Sequence, residues 1–488
     1  MMLPPEVSSN VNSSSAMQDL IDAAVRLIDA LPGTFAEREQ ALLGALQEAG
    51  RVGLEYDLQR IEQALPDDIA VGSERRPYRV HQPGTAVYLS LFGELRVQRR
   101  TYREVGVRNG PTVVAVELLA GIIEGATPAF AFNVTQGYGM HDMRQHGLVL
   151  QSSHRHAPPR ATLERLAKRL AERIDEQCPS IEPIVRARNP CPEGTRAISV
   201  GLDRASTPMA EPRPAGTGKK PRRSRKKPRV RAVPPPIEVN YRMAYVGTVA
   251  FLDEHGETLA VRRYAAPASS CPEDLCARMA ADIEAALRRQ PGSTVQVVQD
   301  GAPEMWNLMR EALRPLRRPG MVTKYFEAID LMHLFEHLSD ALIARGEDEV
   351  TRARTLVDWK TGLLARDTAI DAIEADLQGN LTGLSDSARK VVSEKLTYLK
   401  NNKDRMRYAS LVRRGLCLGS GVTESAAKTV INQRTKGAGQ RWKDPGLRGV
   451  LTVRSILQSD RLPAFWVHFS RLYVANVSCV TNTIRRAA

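Results

Sequence analysis

The sequence predicts a mixed α/β fold, in which a five-stranded sheet follows a mainly helical N-terminal region. Two apolar runs, 197–203 and 293–300, have the length of buried strands, and each ends on an acidic residue. From residue 197 onward the predicted order is strand, strand, strand, helix, strand, helix, strand, helix. Three consecutive strands followed by alternating helices and strands are typical of a mixed sheet. In that order the predicted elements are 197–203, 241–252, 258–264, 272–289, 293–300, 303–313, 324–329 and 331–344.

The N-terminal region is predicted to be helical with one hairpin. Residues 1–16 are polar and aperiodic, which predicts a disordered lead-in. Leucines at helical spacing follow through residue 66, and then apolar and polar residues alternate over 86–104 around Gly93, which indicates a β-hairpin. Residues 112–173 return to helical spacing. The prolines at 158 and 159 divide them into two helices, compatible with a helix-turn-helix but more simply a plain helical pair.

Beyond the predicted sheet strands the chain returns to helix. Residues 345–415 are helical and highly charged and contain no strand that ends on an acid, so we interpret them as a helical insertion. Gly419, Ser420 and Gly421 then open a new helix that carries Glu424, and 447–469 is again helical. The sheet domain is therefore predicted in two parts, 195–344 and 416–488.

The charge balance favours a polyanionic partner. The chain has 488 residues with 69 Lys and Arg against 55 Asp and Glu, a formal charge of +14. Such an excess suits DNA, RNA or an acidic membrane surface, although it also serves solubility.

The basic residues concentrate in a predicted loop at 211–236. Within it, nine of the thirteen residues at 219–231 are Lys or Arg, and three prolines follow. A run of this kind repels itself and cannot bury a core, so we expect a mobile loop that contacts phosphates by counterion release. It holds no aromatic residue, so base stacking is not indicated. The predicted phosphate contacts are Lys219, Lys220, Arg222, Arg223, Arg225, Lys226 and Lys227.

Membrane insertion and secretion are not predicted. The longest apolar stretch, 113–123, is too short for a span and is interrupted by Glu117. The N-terminus has neither the basic nor the apolar part of a secretory signal. The six cysteines form no CxxC pair, which disfavours a structural zinc site and suggests reduced thiols in the cytoplasm.

Three acidic residues occupy positions that suit chemistry. Asp203 and Asp300 each end a predicted strand, and Glu424 lies near the start of a helix after a glycine-rich turn. Strand ends are where α/β folds place their sites, and converging carboxylates are hard oxygen ligands for Mg²⁺ or Mn²⁺. Any one of these acids alone is more simply a solvated residue at the end of an element. All three in this order, in a basic protein, favour a site for phosphodiester cleavage by two metal ions.

Four motifs in 197–469 give the chain a resemblance to a known family. They are GLDRASTPM at 201–209, VVQDGAPEMW at 297–306, IDLMHLFEHL at 329–338 and GSGVTESAAKTVINQRTKGAGQRW at 419–442, and the last is the longest and most specific. The region resembles the catalytic part of an RNase H-like DDE transposase from bacterial insertion sequences, of the ISKra-type family. Residues 116–173 resemble the helical N-terminal region of that family.

The resemblance implies a fold and a set of site residues. The sheet would be RNase H-like, with helices on both faces. Asp203, Asp300 and Glu424 would form the catalytic triad and bind two Mg²⁺ or Mn²⁺ ions. Asp330 and His333 match an Asp-x-x-His element that supports the site, where the alternative is a capping Asp and a core His. Phosphate contacts near the site would come from Lys428, Arg434, Lys436 and Arg441, and Trp442 would stack on a DNA end, unless it is an ordinary core residue.

The resemblance also implies an activity and partners. The protein would cut transposon ends by hydrolysis and join the 3′-OH to target DNA by transesterification. Its partners would be the terminal inverted repeats and the target DNA, bound by a homodimer or larger assembly, with region 17–180 serving DNA binding or dimerisation. We expect a cytoplasmic, nucleoid-associated protein. The alternatives are a domesticated nuclease of the same fold, a catalytically dead DNA-binding protein, and, less favoured, an RNA-binding protein.

Overall fold

A computed structural model describes residues 13–212, 237–318, 321, 324–379 and 381–479. The chain divides into two compact units. Unit 1 contains the described residues up to Ile181 and those from Arg461 onward, and unit 2 is Glu182–Asp460.

The described residues up to 266 form six helices and seven strands. The helices are α1 (Ser13–Ala30), α2 (Phe35–Gln63), α3 (Ala115–Ala120), α4 (Pro128–Met140), α5 (Met143–Ser152) and α6 (Arg160–Arg188). The strands are β1 (Asp68–Val71), β2 (Arg76–Leu89), β3 (Glu94–Glu104), β4 (Thr112–Val113), β5 (Ala197–Pro212), β6 (Ile237–Leu252) and β7 (Thr258–Ala266).

Helices dominate the second half. They are α7 (Pro272–Arg289), α8 (Pro303–Leu313), α9 (Leu331–Ala344), α10 (Glu349–Ala365), α11 (Ala369–Gly379), α12 (Asp386–Asn402), α13 (Tyr408–Val412), α14 (Gly421–Ala426), α15 (Gln433–Thr435), α16 (Asp444–Gln458) and α17 (Leu462–Arg471). A π-helical segment, Ala427–Asn432, joins α14 to α15. The strands are β8 (Thr294–Gln299), β9 (Tyr325–Ile329) and β10 (Val477–Cys479), and none of the described helices combines the length and the apolarity needed to cross a membrane.

Unit 1 contains a sheet that the sequence predicted only in part. Its order is β10-β1-β2-β3-β4 with antiparallel pairing throughout. The predicted hairpin at 86–104 is present as the longer ribbon β2–β3. Strands β1, β4 and β10 were missed because two to four residues are too few for an alternating pattern. Helix α1 begins at Ser13, inside the predicted lead-in 1–16, and the rest of that lead-in lies outside the described residues.

The C-terminal end of the chain belongs to unit 1, although the sequence grouped it with the sheet domain as part of 416–488. Helix α17 lies in this unit, where Trp466 packs edge-on against Phe132 of α4 with ring centroids 5.3 Å apart. Strand β10 pairs with β1, opposing Cys479 to Ile69. Strand β10 has only three residues and pairs with a strand some 400 residues earlier in the chain. No local sequence pattern predicts such a pairing.

Unit 2 contains the predicted mixed sheet of five strands. Its order is β7-β6-β5-β8-β9. Strand β6 is antiparallel to both of its neighbours, whereas β8 is parallel to β5 and β9 is parallel to β8. Four strands therefore share one direction, and β5, β8 and β9 direct their carboxyl ends toward the same edge.

Helices cover both faces of this sheet. Gly247 of β6 lies against Met279 of α7, while its neighbour Thr248 donates or accepts a 2.7 Å hydrogen bond with Thr423 of α14. Successive residues of a strand point to opposite faces, so α7 and α14 lie on opposite sides. The core between these layers is apolar, with Val297, Ile329 and many others fully buried.

Strand β5 is longer than the sequence predicted. Asp203 was expected to end it, but the strand continues to Pro212 because its antiparallel pairing with β6 runs unbroken from Ala197 to Pro212. Only the parallel pairing with β8 stops early, at Val200. The predicted loop 211–236 correspondingly loses Glu211 and Pro212 to the strand, and its remaining residues, with all seven predicted phosphate contacts, lie outside the described residues.

Candidate active site

Asp203, Asp300 and Glu424 line one cavity of about 130 Å³, although they are far apart in the sequence. His333 lines it as well. The cavity is formed by β5, the end of β8, the first turn of α9 and the start of α14, and the remaining lining residues are Leu202, Val298, Gln299, Ser420 and Thr423.

Asp203 reaches the cavity from inside β5. It lies three residues beyond the last parallel pair with β8, Val200 with Val297, where the two strands no longer share hydrogen bonds. Its carboxylate accepts a 2.6 Å hydrogen bond from the backbone N–H of Arg204. The side chain is half-buried, and the divergence of β5 from β8 exposes it to the cavity.

Asp300 directly follows β8, as predicted. Its carboxylate accepts a 2.9 Å hydrogen bond from the N–H of Ala302, which closes a tight turn before α8. The next residue, Gly301, has a φ of +104°, a conformation that favours glycine. The Asp300 carbonyl accepts a 2.9 Å hydrogen bond from the hydroxyl of Tyr398 on α12, a contact that was not predicted from the sequence.

Asp330 ties the turn before Glu424 to the start of α9. It is 2% exposed and caps α9, since its carboxylate accepts a 2.9 Å hydrogen bond from the N–H of His333. The same carboxylate accepts hydrogen bonds from the N–H of Ser420 and, at 2.6 Å, from the Ser420 hydroxyl. Asp330 is thus a capping residue, the alternative considered above, but it also fixes the turn from which Glu424 projects.

A glycine on β5 sets how closely α14 can approach. A Cβ atom added to Gly201 would lie 2.0 Å from the Thr423 hydroxyl, far inside a van der Waals contact. Thr423 is buried and forms a hydrogen bond with Thr248 of the neighbouring strand β6. The absent side chain therefore lets α14 dock on the strand that carries Asp203, and Glu424 follows Thr423 directly.

His333 is exposed to the cavity and is not the core histidine of the alternative interpretation. Its side chain is 37% exposed, and its Nδ1 lies 3.2 Å from the carboxylate of Glu336. Its ring meets that of His337 edge-on, with centroids 4.9 Å apart. The structure therefore places His333 where a ligand in the cavity would contact it.

The charges of Asp300 and Glu424 act on the ionisation of Asp203. Burial raises the pKa of Asp203, and the negative charges of Asp300 and Glu424 raise it further, against the opposing hydrogen bond from Arg204. Like charges that share a partly dry cavity destabilise each other's ionised forms. A cation placed among them would relieve that repulsion.

The donor chemistry of this cavity fits a divalent metal ion. Asp203, Asp300 and Glu424 offer hard carboxylate oxygens of the kind that Mg²⁺ and Mn²⁺ prefer. Across the described ranges, no three or more His, Cys, Asp or Glu side chains are already arranged to hold a metal. Glu424 is exposed, and its hydrogen bond to the Ser420 hydroxyl is 3.5 Å long, so this contact restrains its carboxylate little.

The predicted DNA contacts after Glu424 divide into exposed and buried residues. Lys428, Lys436 and Arg441 are exposed. Arg434 is only 6% exposed, with its guanidinium 5.1 Å from the centre of the Trp442 ring, and its contact with phosphate stays a prediction. Its burial follows from the docking of residue 442 onto β5 and could not be read from a local pattern.

Trp442 is part of the packing rather than a free stacking surface. It is half-buried, and its backbone exchanges hydrogen bonds of 2.9 and 2.7 Å with Pro208 and Ala210 of β5. Its indole N–H donates to the carbonyl of Thr435 at 3.2 Å. The alternative of ordinary packing therefore describes Trp442 better than a role in stacking on DNA.

Comparisons of this chain with models of protein families, with curated proteins and with solved structures found no match.

Proposed function

We propose that this protein is a DDE transposase with an RNase H-like catalytic sheet, which cuts DNA phosphodiester bonds and joins the resulting 3′-OH to target DNA. One observation carries the proposal: Asp203, Asp300 and Glu424 line the same cavity. They come from a strand, a strand end and a helix start that lie 97 and 124 residues apart in the chain, differences between the residue numbers 203, 300 and 424.

Further support comes from the surroundings of the cavity. The sheet is five-stranded and mixed, with helices on both faces, in agreement with what the resemblance implies. The cavity lies beside the carboxyl end of β8, where open α/β sheets bind their ligands. The formal charge of +14 suits a polyanionic substrate.

In the proposed mechanism, Asp203, Asp300 and Glu424 would hold two Mg²⁺ or Mn²⁺ ions. Bound ions of this kind activate an attacking oxygen and stabilise the leaving oxygen in phosphodiester cleavage. The carboxylate of Asp330 keeps the turn before Glu424 in place through Ser420. His333, which lines the cavity, would donate a hydrogen bond to a phosphate oxygen, and the exposed Lys428, Lys436 and Arg441 would hold the DNA backbone.

The proposal is tested with the full chain and a supercoiled plasmid carrying the DNA that flanks its own coding sequence. With Mg²⁺ we expect nicked or linear plasmid with 3′-OH ends and, given a second plasmid as target, joined products. EDTA should abolish both. Cleavage without joining would favour the nuclease alternative, and binding without cleavage would favour a catalytically dead DNA-binding protein. Preferential binding of RNA over the plasmid would contradict the assignment.

A further inference from the structure

Two tyrosines from the helical segment 345–415 donate hydrogen bonds to the ends of the parallel strands β8 and β9. The hydroxyl of Tyr398 on α12 donates to the carbonyl of Asp300, directly after β8, at 2.9 Å. The hydroxyl of Tyr408 on α13 donates to the carbonyl of Ile329, the last residue of β9, at 3.1 Å. Both contacts lie at the sheet edge where the cavity opens, so the segment supports the backbone that presents the site.

The ring of Tyr398 is fitted to the turn that follows Asp300. A Cβ atom on Gly301 would lie 2.8 Å from its Cε2 atom, closer than carbon atoms normally approach. The ring also packs on His337 with centroids 4.0 Å apart, and it lies 6.4 Å from the ring of His333. Tyr398 is therefore held between the Asp300 turn and the helix that carries His333.

Contacts of a neighbouring lysine fix the helix that carries Tyr398 against α9. One turn earlier on α12, Lys395 lies 2.8 Å from the carboxylate of Asp340 and 3.0 Å from Nδ1 of His337. These contacts join α12 to α9.

We propose that Tyr398 is a positioning residue of the candidate active site. Its hydroxyl holds the turn formed by Asp300 and Gly301 so that the Asp300 carboxylate faces the cavity, and the helical segment 345–415 thereby contributes to metal binding. This inference rests on the proposed function, because it assigns Asp300 to a metal site. Without this hydroxyl, the turn keeps its internal hydrogen bond from the Ala302 N–H to the Asp300 carboxylate. It loses the hydrogen bond that connects it to α12.

The test compares Tyr398→Phe with Tyr102→Phe in the full chain. Tyr102 is a matched control: it is a fully buried tyrosine of unit 1 that also donates to a backbone carbonyl, that of Pro66, at 3.1 Å, and it does not line the cavity. Mn²⁺ binding is measured by titration with electron paramagnetic resonance of the free ion. We expect Tyr398→Phe to weaken Mn²⁺ binding about fivefold to tenfold and Tyr102→Phe to leave it within about twofold, from the loss of one hydrogen bond. Equal affinities in the two variants would overturn the inference.

A second measurement separates this inference from the proposed function. Amide hydrogen exchange of peptides covering 299–306 should accelerate in Tyr398→Phe and stay unchanged in Tyr102→Phe. If the wild-type chain binds no Mn²⁺, the metal site of the proposed function fails, whereas unchanged exchange refutes the anchoring of the turn. Should Tyr398→Phe not fold, 4-aminophenylalanine at position 398 keeps a donor, and it must retain wild-type Mn²⁺ affinity for the inference to stand.

Discussion

Gly201 and Thr423 show how strongly the site depends on single atoms. The Thr423 hydroxyl occupies the space that a side chain at 201 would fill, and it bonds Thr248 in the adjacent strand. The start of α14, and with it Glu424, is placed by this contact on one side and by the bond from Ser420 to Asp330 on the other. Neither contact involves Asp203, Asp300 or Glu424.

A substitution of Gly201 by Ala should therefore destabilise unit 2. The added methyl group would overlap the Thr423 hydroxyl, and overpacking of a closed contact costs about 1–3 kcal/mol. Chemical denaturation would measure the loss, and cleavage should fall with it. The double variant Gly201→Ala with Thr423→Ala removes the overlapping hydroxyl and should recover part of the stability. Equal stability of wild type and Gly201→Ala would contradict the close contact.

For single residues, the sequence predicted the three acids that line the cavity and, in Asp330, one residue that holds the turn before Glu424, but it did not predict the contacts of Gly201 or Tyr398. Asp300 and Glu424 were predictable because a strand end and a helix start are local patterns. Tyr398 was not, because its bond to Asp300 spans 98 residues and a hydroxyl bonded to a carbonyl has no sequence signature. Gly301 could be seen in the motif after β8, but its close contact with the ring of Tyr398 could not be predicted.

The π-helical segment after Glu424 is the most unusual element of the site. In a π-helix the hydrogen bonds run to the fifth residue, and such segments often occur at functional sites. The wider turn leaves carbonyls to be satisfied from elsewhere. Arg454 of α16, which is 3% exposed, donates to the carbonyls of Thr429 and Val430, the latter at 2.7 Å, and Gln458 donates to Thr429 at 3.1 Å.

Removing the guanidinium of Arg454 should destabilise this segment. Arg454→Met leaves the carbonyl of buried Val430 without this donor, at about 1–3 kcal/mol for an unpaired group, and leaves the Thr429 carbonyl with Gln458 as its side-chain donor. Burial lowers the pKa of Arg454 to about 10, so it is still a charged donor at neutral pH. Arg448→Met on the same helix is the control. Arg448 forms an exposed pair with Asp444, whose loss should cost at most about 1 kcal/mol. Equal losses in a urea titration would refute the role given to Arg454.

Element boundaries were harder to predict than element types. The five strands of the unit 2 sheet were expected from their apolar runs and are present. The extension of β5 beyond Asp203 was missed because residues 204–212 mix polar and apolar side chains, and only pairing with β6 keeps them extended. The sheet of unit 1 was predicted only as its β2–β3 hairpin, because the other three of its five strands have four residues or fewer.

For the whole molecule, net charge is the property that can be read most directly from the sequence. The formal charge is +14, and the run at 219–231 holds nine basic residues. Its structure lies outside the described residues, so its proposed contact with phosphates rests on composition alone. The two units each have their own sheet, and the candidate site belongs to unit 2.

Neutralising the nine basic residues at 219–231 should weaken DNA binding by a similar factor for every duplex sequence. The slope of log K against log salt should become shallower by about 1 for each residue that contacts a phosphate. Fluorescence anisotropy at several salt concentrations with a mixed-sequence duplex would measure this. A variant with the same run in shuffled order keeps the charge and should keep the slope. An unchanged slope in the neutralised variant would mean that the run does not touch DNA.

The most direct test of the account is the cleavage activity of Glu424→Gln in the full chain. If the three carboxylates form one metal-dependent site, Mg²⁺-dependent cleavage of the flanking-DNA plasmid should fall by roughly a thousandfold or more, while DNA affinity stays nearly constant. Glu304→Gln is the matched control, since Glu304 bonds Arg204 beside Asp203 but does not line the cavity. Full activity of Glu424→Gln, beside an active wild type, would show that Glu424 is not part of a metal-dependent active site.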